Sequence, residues 1–335
     1  MPSSPTSRDV ARTAGVSQST VSYVLSGKRF VAPETRTRVR EAMIELGYRP
    51  HGGARALASR RSSLIGLVSE IVTSPFAAAT IRGIQDSVRA AGYTLFIVPT
   101  STEATVDGEA FETLLKSRVE GIIYATGWNC RVRMPAQARE IPTVLVHCTD
   151  PVSGLPCVRP DEEQMGRLAA QALLEGHHRD IGVIELDPND GEAAPGRRVG
   201  CEAYLEQAGI PWSTVRVAVG HGTTRGGYAA AARLLTDHPW LTGLVCGNDR
   251  MAMGAYDAIR EQGLRVRDDV AVIGIDDQEL IADQLHPALT TVALPFEEMG
   301  QVAASHLLAL MEGEEVPAET LLPGQIIRRS SAWHP

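Results

Sequence analysis

The chain has 335 residues, 44% apolar and 21% charged, with a formal net charge of −8; this globular composition excludes an intrinsically disordered chain. At this length more than one core is expected, and no run approaches about 18 uninterrupted apolar residues, so a membrane-spanning helix is excluded. The opening residues lack the apolar stretch of a secretory leader, and the five cysteines (Cys130, Cys148, Cys157, Cys201, Cys246) form neither a CxxC pair nor a disulfide framework. A cytoplasmic protein without metal or organic cofactor is expected.

Charge is unevenly spread. Residues 1–63 carry a net +7 and the remainder −15. A basic head on an acidic body points to a polyanionic partner for the head alone.

In chain order, the head reads as three short helices. The first, over 8–13, is opened by the cap candidates Thr6 and Ser7, with Val10, Ala11 and Ala14 on one side and Gly15 at the following turn. Ser17 caps the second, where Val21, Val24 and Leu25 recur at helical spacing. Pro33 starts the third, with Val39, Met43, Ile44 and Leu46 expected to face inward and Gly47 as the stop. The polar stretch Ser59-Arg60-Arg61-Ser62-Ser63 then separates head from body.

Beyond residue 63, short apolar runs alternate with amphipathic helices. Strands are expected at 64–68, 93–98, 121–125 and 143–146, then at 181–186, 215–219, 244–246 and 270–275. Helices are expected over 77–91, 109–115, 161–175, 199–208, 226–236 and 251–262. Two successive series of this kind imply an α/β body of two doubly wound parallel sheets, with ligands at the strand C-terminal ends and in the cleft between lobes.

Enzyme signatures are missing: there is no Walker A, GxSxG, HExxH or GxGxxG sequence in a suitable context. The positive signal is DVARTAGVSQSTVSYVLSG at 9–27. It has the design of a helix-turn-helix: small alanines for close contact, glycine at the corner, and short polar side chains (Gln18, Ser19, Ser22) opening the second helix, where base edges lie.

On these residues, and on VAPETRTRVREAMIELGYRP, ARALA, LIGLV, RVEGII, CGNDRMAMGA and PALTTVALPFEEMG, the chain resembles the lactose-repressor/galactose-repressor (LacI/GalR) family of bacterial transcription regulators. The resemblance covers essentially the whole chain. It implies a helix-turn-helix headpiece over 1–50, a hinge and linker over 51–63, and a periplasmic-binding-protein-like effector-binding and dimerisation body over 64–335. The N-lobe would comprise about 64–160 and 292–322, the C-lobe about 161–289 and 323–335, with crossings near Asp161, 289–292 and 322–326.

The implied function is a sequence-specific DNA-binding repressor controlled by a small polar, sugar-like effector. Its implied partners are a near-palindromic double-stranded operator, the effector and a second copy of the chain. A homodimer is expected because one short recognition helix contacts too few base pairs for specific binding, and no heptad tail follows the body to zip dimers into a tetramer. A small-molecule binding protein without DNA function is the alternative from another class.

Residue by residue, the resemblance implies DNA contacts from Ser17, Gln18, Ser19, Thr20, Ser22, Tyr23, Arg55 and Leu57. Gln18 and Ser19 fall at base-reading positions, and Tyr23 stands where most members have Arg. Leu57 matches the leucine that wedges into the minor groove. Gly52-Gly53 replaces better helix formers in the hinge. In the cleft, Asp161, Arg197, Asn248 and Asp276 match effector-bonding positions, with Phe76 and Trp128 as walls; for each polar residue a cap or salt bridge is the alternative role. His147-Cys148 replaces a usual Asp-Arg, and Gly222 an aromatic platform, which implies a larger or more apolar pocket with His147 on its lining.

Overall fold

A computed structural model describes residues 5–26, 29–48, 62–69, 76–100, 108–189 and 191–332, and the chain forms two compact units, Met1–Ser63 and Leu64–Pro335. The expected hinge residues Arg55, Leu57 and Gly52-Gly53 lie outside the described residues.

The head contains α1 (Ser7–Ala14), α2 (Gln18–Ser26) and α3 (Pro33–Glu45). Thr6 and Asp9 make a reciprocal capping box at the start of α1, with the Asp9 amide 3.3 Å from Thr6 Oγ1 and the Thr6 amide 3.0 Å from Asp9 Oδ2. Gly15 ends the helix at φ +63°, where its amide reaches the Ala11 and Arg12 carbonyls. The core is Val10, Ala11, Ala14, Val21, Val39 and Ala42, with Val24, Leu25, Met43 and Leu46 packed around it. Ile44, expected inside, is 82% exposed. The inward stripe of α3 runs through Val39, Ala42, Met43 and Leu46, and Ile44 falls a hundred degrees off it.

The body alternates strand and helix from β1 (Leu64–Ser69) through α4 (Ala77–Ala90), β2 (Thr94–Pro99), α5 (Gly108–Lys116), β3 (Gly121–Arg131), β4 (Thr143–Thr149) and β5 (Cys157–Pro160). The second series is α6 (Glu162–Glu175), β6 (Ile181–Glu185), α7 (Ala193–Gln207), β7 (Arg216–Val219), α8 (Thr224–Asp237), β8 (Gly243–Cys246), α9 (Asp249–Glu261), β9 (Ala271–Asp276) and β10 (Thr290–Ala293). It is completed by α10 (Phe296–Glu312), β11 (Glu319–Leu322) and β12 (Gln325–Ile327).

The strands build two six-stranded sheets, β11-β5-β4-β3-β1-β2 and β12-β10-β9-β8-β6-β7. The first is parallel throughout; in the second only β12 is antiparallel. This is the doubly wound, two-lobed α/β arrangement that the alternation implies. The chain crosses between lobes at Asp161, at Leu294-Pro295 and at Pro323-Gly324. The middle crossing, expected at 289–292, lies later because Thr290–Ala293 pairs with β9 in the second sheet. One apolar cluster runs through both lobes and includes Leu294, Phe296 and Leu322 at the crossings; separate clusters back the outer face of each sheet.

Two stretches depart from the sequence-based expectation. Strand β3 continues six residues past Ala125, with an irregular register between Ala125 and Cys130. Helix α7 starts at Ala193 rather than Val199, with Pro195 tolerated in its first turn. That places Arg197 on the helix itself. Helices α6 and α7 meet backbone to backbone: a Cβ at Gly166 would lie 1.9 Å from the Arg197 carbonyl oxygen, and one at Gly200 1.7 Å from that of Glu163. The Gly200→Ala substitution should therefore force α6 and α7 apart and destabilise the body by about 1–3 kcal/mol, read as a lower urea midpoint with an unchanged m-value.

Candidate nucleic-acid interface and effector cleft

On the head, α2 presents Gln18, Ser19 and Ser22 to solvent at and beyond its N-terminus, while Thr20 and Tyr23 are half-buried. Ser17 acts as the cap: its Oγ accepts the Thr20 amide at 3.1 Å and sits 2.7 Å from Ser19 Oγ. Gln18 Nε2 donates to Ser7 Oγ at 3.0 Å, so α1 orients its amide. The Tyr23 ring lies under the Arg29 guanidinium, 5.2 Å from centroid to Cζ. No acidic residue stands in the first turn of α2. The result is a surface of hydroxyls and an amide, without a carboxylate to repel phosphate.

In the body, a cleft of about 1090 Å³ opens between the lobes. Phe76, Trp128, His147, Arg197, Asn248 and Asp276 all line it. Asp161 does not. Its Oδ1 accepts the Gln164 amide at 2.9 Å and caps α6. The next residue, Glu162, occupies the buried position instead, receiving Arg197 Nε at 2.8 Å on Oε2 and Asn129 Nδ2 at 3.2 Å on Oε1.

Arg197 also donates to the Gly247 carbonyl and, at 3.4 Å, to Asp276 Oδ1. It thus joins α6, the end of β8 and the end of β9. Asn248 caps α9 through the Met251 amide at 2.8 Å and donates Nδ2 to the Gly222 carbonyl at 3.1 Å. Asp249, which sequence reasoning missed, is fully buried; it accepts the Thr291 hydroxyl at 2.6 Å and the Gln278 amide at 2.7 Å. Burial, reinforced by nearby Asp276, holds its carboxyl well above the usual range. Burial likewise raises Asp276 to about 6 against the opposing pull of Arg197.

The first lobe contributes an aromatic wall. Phe76 stacks on Phe296 with centroids 4.5 Å apart, and the His147 ring meets Phe296 edge-on at 5.5 Å. His147 is buried at φ +61°, and burial pushes its imidazole down to about 4, so it is neutral at pH 7. Across the mouth, the Asn129 carbonyl accepts the Glu192 amide at 2.8 Å, and Arg131 pairs with Glu192 at 2.7 Å. These contacts and Asn129–Glu162 tie the irregular end of β3 to the second lobe. Arg250, also missed, lines the cleft and makes no ion pair among the described residues. Also among the described residues, no helix is long and apolar enough to cross a membrane, and no cluster of His, Cys, Asp and Glu has a metal-binding arrangement.

A head of three short helices and a separate two-lobed body with a cleft are the parts of a DNA-binding regulator, and similarity to known proteins makes the class specific. A family model described as periplasmic binding proteins and sugar binding domain of LacI family matches residues 62–330, and one described as bacterial regulatory proteins, lacI family, matches 6–51. The ribose operon repressor of Haemophilus influenzae is 32% identical over 97% of this chain and 98% of its own length. The HTH-type transcriptional repressor PurR of Erwinia tasmaniensis is 34% identical over 98% of both. A lac repressor dimer crystallised with operator and the anti-inducer ONPF is 28% identical, with a TM-score of 0.83 over 99% of this chain and 100% of that one. The chain belongs to the LacI family of bacterial regulatory proteins and is a DNA-binding transcriptional regulator.

The buried neutral imidazole has a consequence for stability. Because the native pKa of His147 is below its unfolded value, the unfolded chain takes up the proton first as pH falls from 6.5 towards 4. His147 therefore favours unfolding in that window by up to about 3 kcal/mol. Asp276, raised above its unfolded value, acts oppositely between about 4 and 6. In urea titrations from pH 7 to pH 4, His147→Gln should lose less stability than the parent chain; parallel losses would place the imidazole in a solvated setting.

Proposed function

We propose that the head binds operator DNA as half of a cytoplasmic homodimer, that the cleft takes a small polar, sugar-like effector, and that the chain performs no catalysis. One observation carries the DNA reading: α2 exposes Gln18, Ser19 and Ser22 at an end without carboxylates. Ser17 and Thr20 shape that end, and Tyr23 stands beside Arg29 as a hydroxyl on an apolar ring. In this reading Gln18, Ser19 and Tyr23 meet base edges, Arg55 meets phosphate and Leu57 enters the minor groove at the operator centre.

For the effector, the cleft offers the aromatic wall of Phe76 and Phe296, exposed Trp128, neutral His147, Asp276 and Arg250. That chemistry suits a ligand with an apolar face and several hydroxyl or anionic groups. Arg197, Asn248 and Glu162 are bonded to the protein and shape the floor. Removing Arg197 would strand two buried carboxylates at a cost of about 3–5 kcal/mol, so it is a poor test of ligand contact. Asp276→Asn keeps the shape; in a thermal-shift titration with the sugars or polyols that stabilise the parent chain, it should weaken binding by roughly 10- to 150-fold and leave operator affinity intact. Equal stabilisation of both proteins would move the ligand elsewhere.

On DNA, two kinds of substitution should separate. Gln18→Ala should relax preference at one half-site position by about 1–3 kcal/mol. Arg55→Ala should weaken operator and random DNA alike and lower the salt slope by about 0.9. Leu57→Ala should lose affinity chiefly on operators with an easily kinked centre. Fluorescence anisotropy across salt concentrations distinguishes them; uniform loss for Gln18→Ala, with specificity unchanged, would overturn the placement of α2.

A further inference from the structure

Two cysteines outside the assigned chemistry stand opposite each other beside the cleft. Strand β3 leaves register after Ala125 and resumes pairing with β4 at Cys130 opposite Cys148, followed by Arg131 opposite Thr149. Both thiols belong to one apolar cluster, with Val132, Met134 and Leu145, so they lie on the same face of the sheet. Directly paired residues on neighbouring strands are about 4.8 Å apart, within the span a disulfide bridges. Their access differs in a useful way. Cys130 is half-buried and lines the cleft, whereas Cys148 is fully buried behind it. Cys157, Cys201 and Cys246 are buried, and none of them lines the cleft.

We propose that Cys130 and Cys148 are a reversible thiol–disulfide pair that makes the cleft responsive to hydroperoxides. The Cys130 thiolate attacks the peroxide oxygen, the O–O bond breaks, and water leaves after proton uptake, giving a sulfenic acid. Cys148 sulfur then attacks the Cys130 sulfur, the S–O bond breaks and a second water leaves. Overall two thiols and one hydrogen peroxide become one disulfide and two waters, and a cellular dithiol reverses the change. Transient redox-sensing pairs are the usual form of disulfide in a reducing compartment.

The position of the pair gives the oxidation a consequence. Cys130 is flanked by Asn129 and Arg131, which hold Glu162 and Glu192 of the second lobe. A covalent tie to β4 fixes the irregular end of β3 and thereby the contacts across the mouth. That second half rests on the effector reading above, whereas the disulfide itself does not.

The test uses the full chain carrying Cys157→Ser, so that tryptic peptides 119–131 and 140–167 (the Arg159-Pro160 bond resists trypsin) each contain a single cysteine. After brief hydrogen peroxide treatment and alkylation, mass spectrometry should find these peptides joined within one chain and released by dithiothreitol. With Cys148→Ala added, dimedone should trap the Cys130 sulfenic acid; with Cys130→Ser, Cys148 should stay fully alkylatable after denaturation. Complete alkylation of both thiols after peroxide, or Cys130 over-oxidised while Cys148 is untouched, would overturn the pair. Hydrogen exchange at the Glu192 amide should slow in the oxidised chain; unchanged exchange with the disulfide present would overturn only the coupling to the cleft.

Discussion

The body is organised around one buried guanidinium. Arg197 reaches Glu162 on α6, the Gly247 carbonyl after β8 and Asp276 at the end of β9. A planar fork of donors can satisfy three acceptors from three directions, which a lysine ammonium on a single point cannot match. The arrangement requires α6 and α7 to touch through their backbones, which Gly166 and Gly200 permit. It also gathers more negative than positive charge. With Glu162, Asp249 and Asp276 converging on one cation, burial drives Asp249 and Asp276 towards their neutral forms. A buried network of this kind contributes little net stability against an apolar substitute. Its value is geometric: it orients strand ends and helix starts around the cleft floor.

Much of this architecture was legible in the sequence. Strand and helix alternation exposed both sheets because parallel strands buried on two faces read as continuous apolar runs. The head was legible because Thr6, Gly15, Ser17 and Pro33 punctuate three helices with residues whose roles are local. What escaped had non-local causes. Strands β5, β11 and β12 are short, and β11 finds its neighbour β5 across more than 150 residues. The irregular end of β3 carries no period-two pattern, since Thr126 turns its hydroxyl to the Trp128 and His147 carbonyls instead of continuing the ladder.

The cleft was legible in part for the same reason. Phe76, Trp128, His147, Arg197, Asn248 and Asp276 do converge, yet Arg197 and Asn248 spend their hydrogen bonds on the protein. Asp161 and Glu162 are adjacent acids at one helix start, and only the phase of α6 decides which one caps and which one points inward. A shorter side chain reaches its own helix amide; the longer one crosses to Arg197. Asp followed by Glu therefore carries a usable signal, provided the helix boundary is known to a single residue.

The distribution of groups across the cleft bears on how an effector could act at a distance. Phe76, Phe296 and His147 belong to the first lobe, while Arg250, Asp276 and Asn248 belong to the second. A ligand touching one lobe alone would bind open and closed forms equally and shift nothing. One that touches both gains its second set of contacts only on closure. Moving a two-state population from about 1:99 to 99:1 needs roughly 5.5 kcal/mol of differential affinity. Hydrogen bonds to charged groups supply about 1.5–3 kcal/mol each, so two or three made in the closed form alone are sufficient. In the proposed reading Arg250 and Asp276, the latter shared with Arg197, supply that number opposite an aromatic wall on the other lobe. Arg197, Glu162 and Asn248 then hold the lobe's shape, Arg250 meets the ligand alone, and Asp276 serves both the network and the ligand.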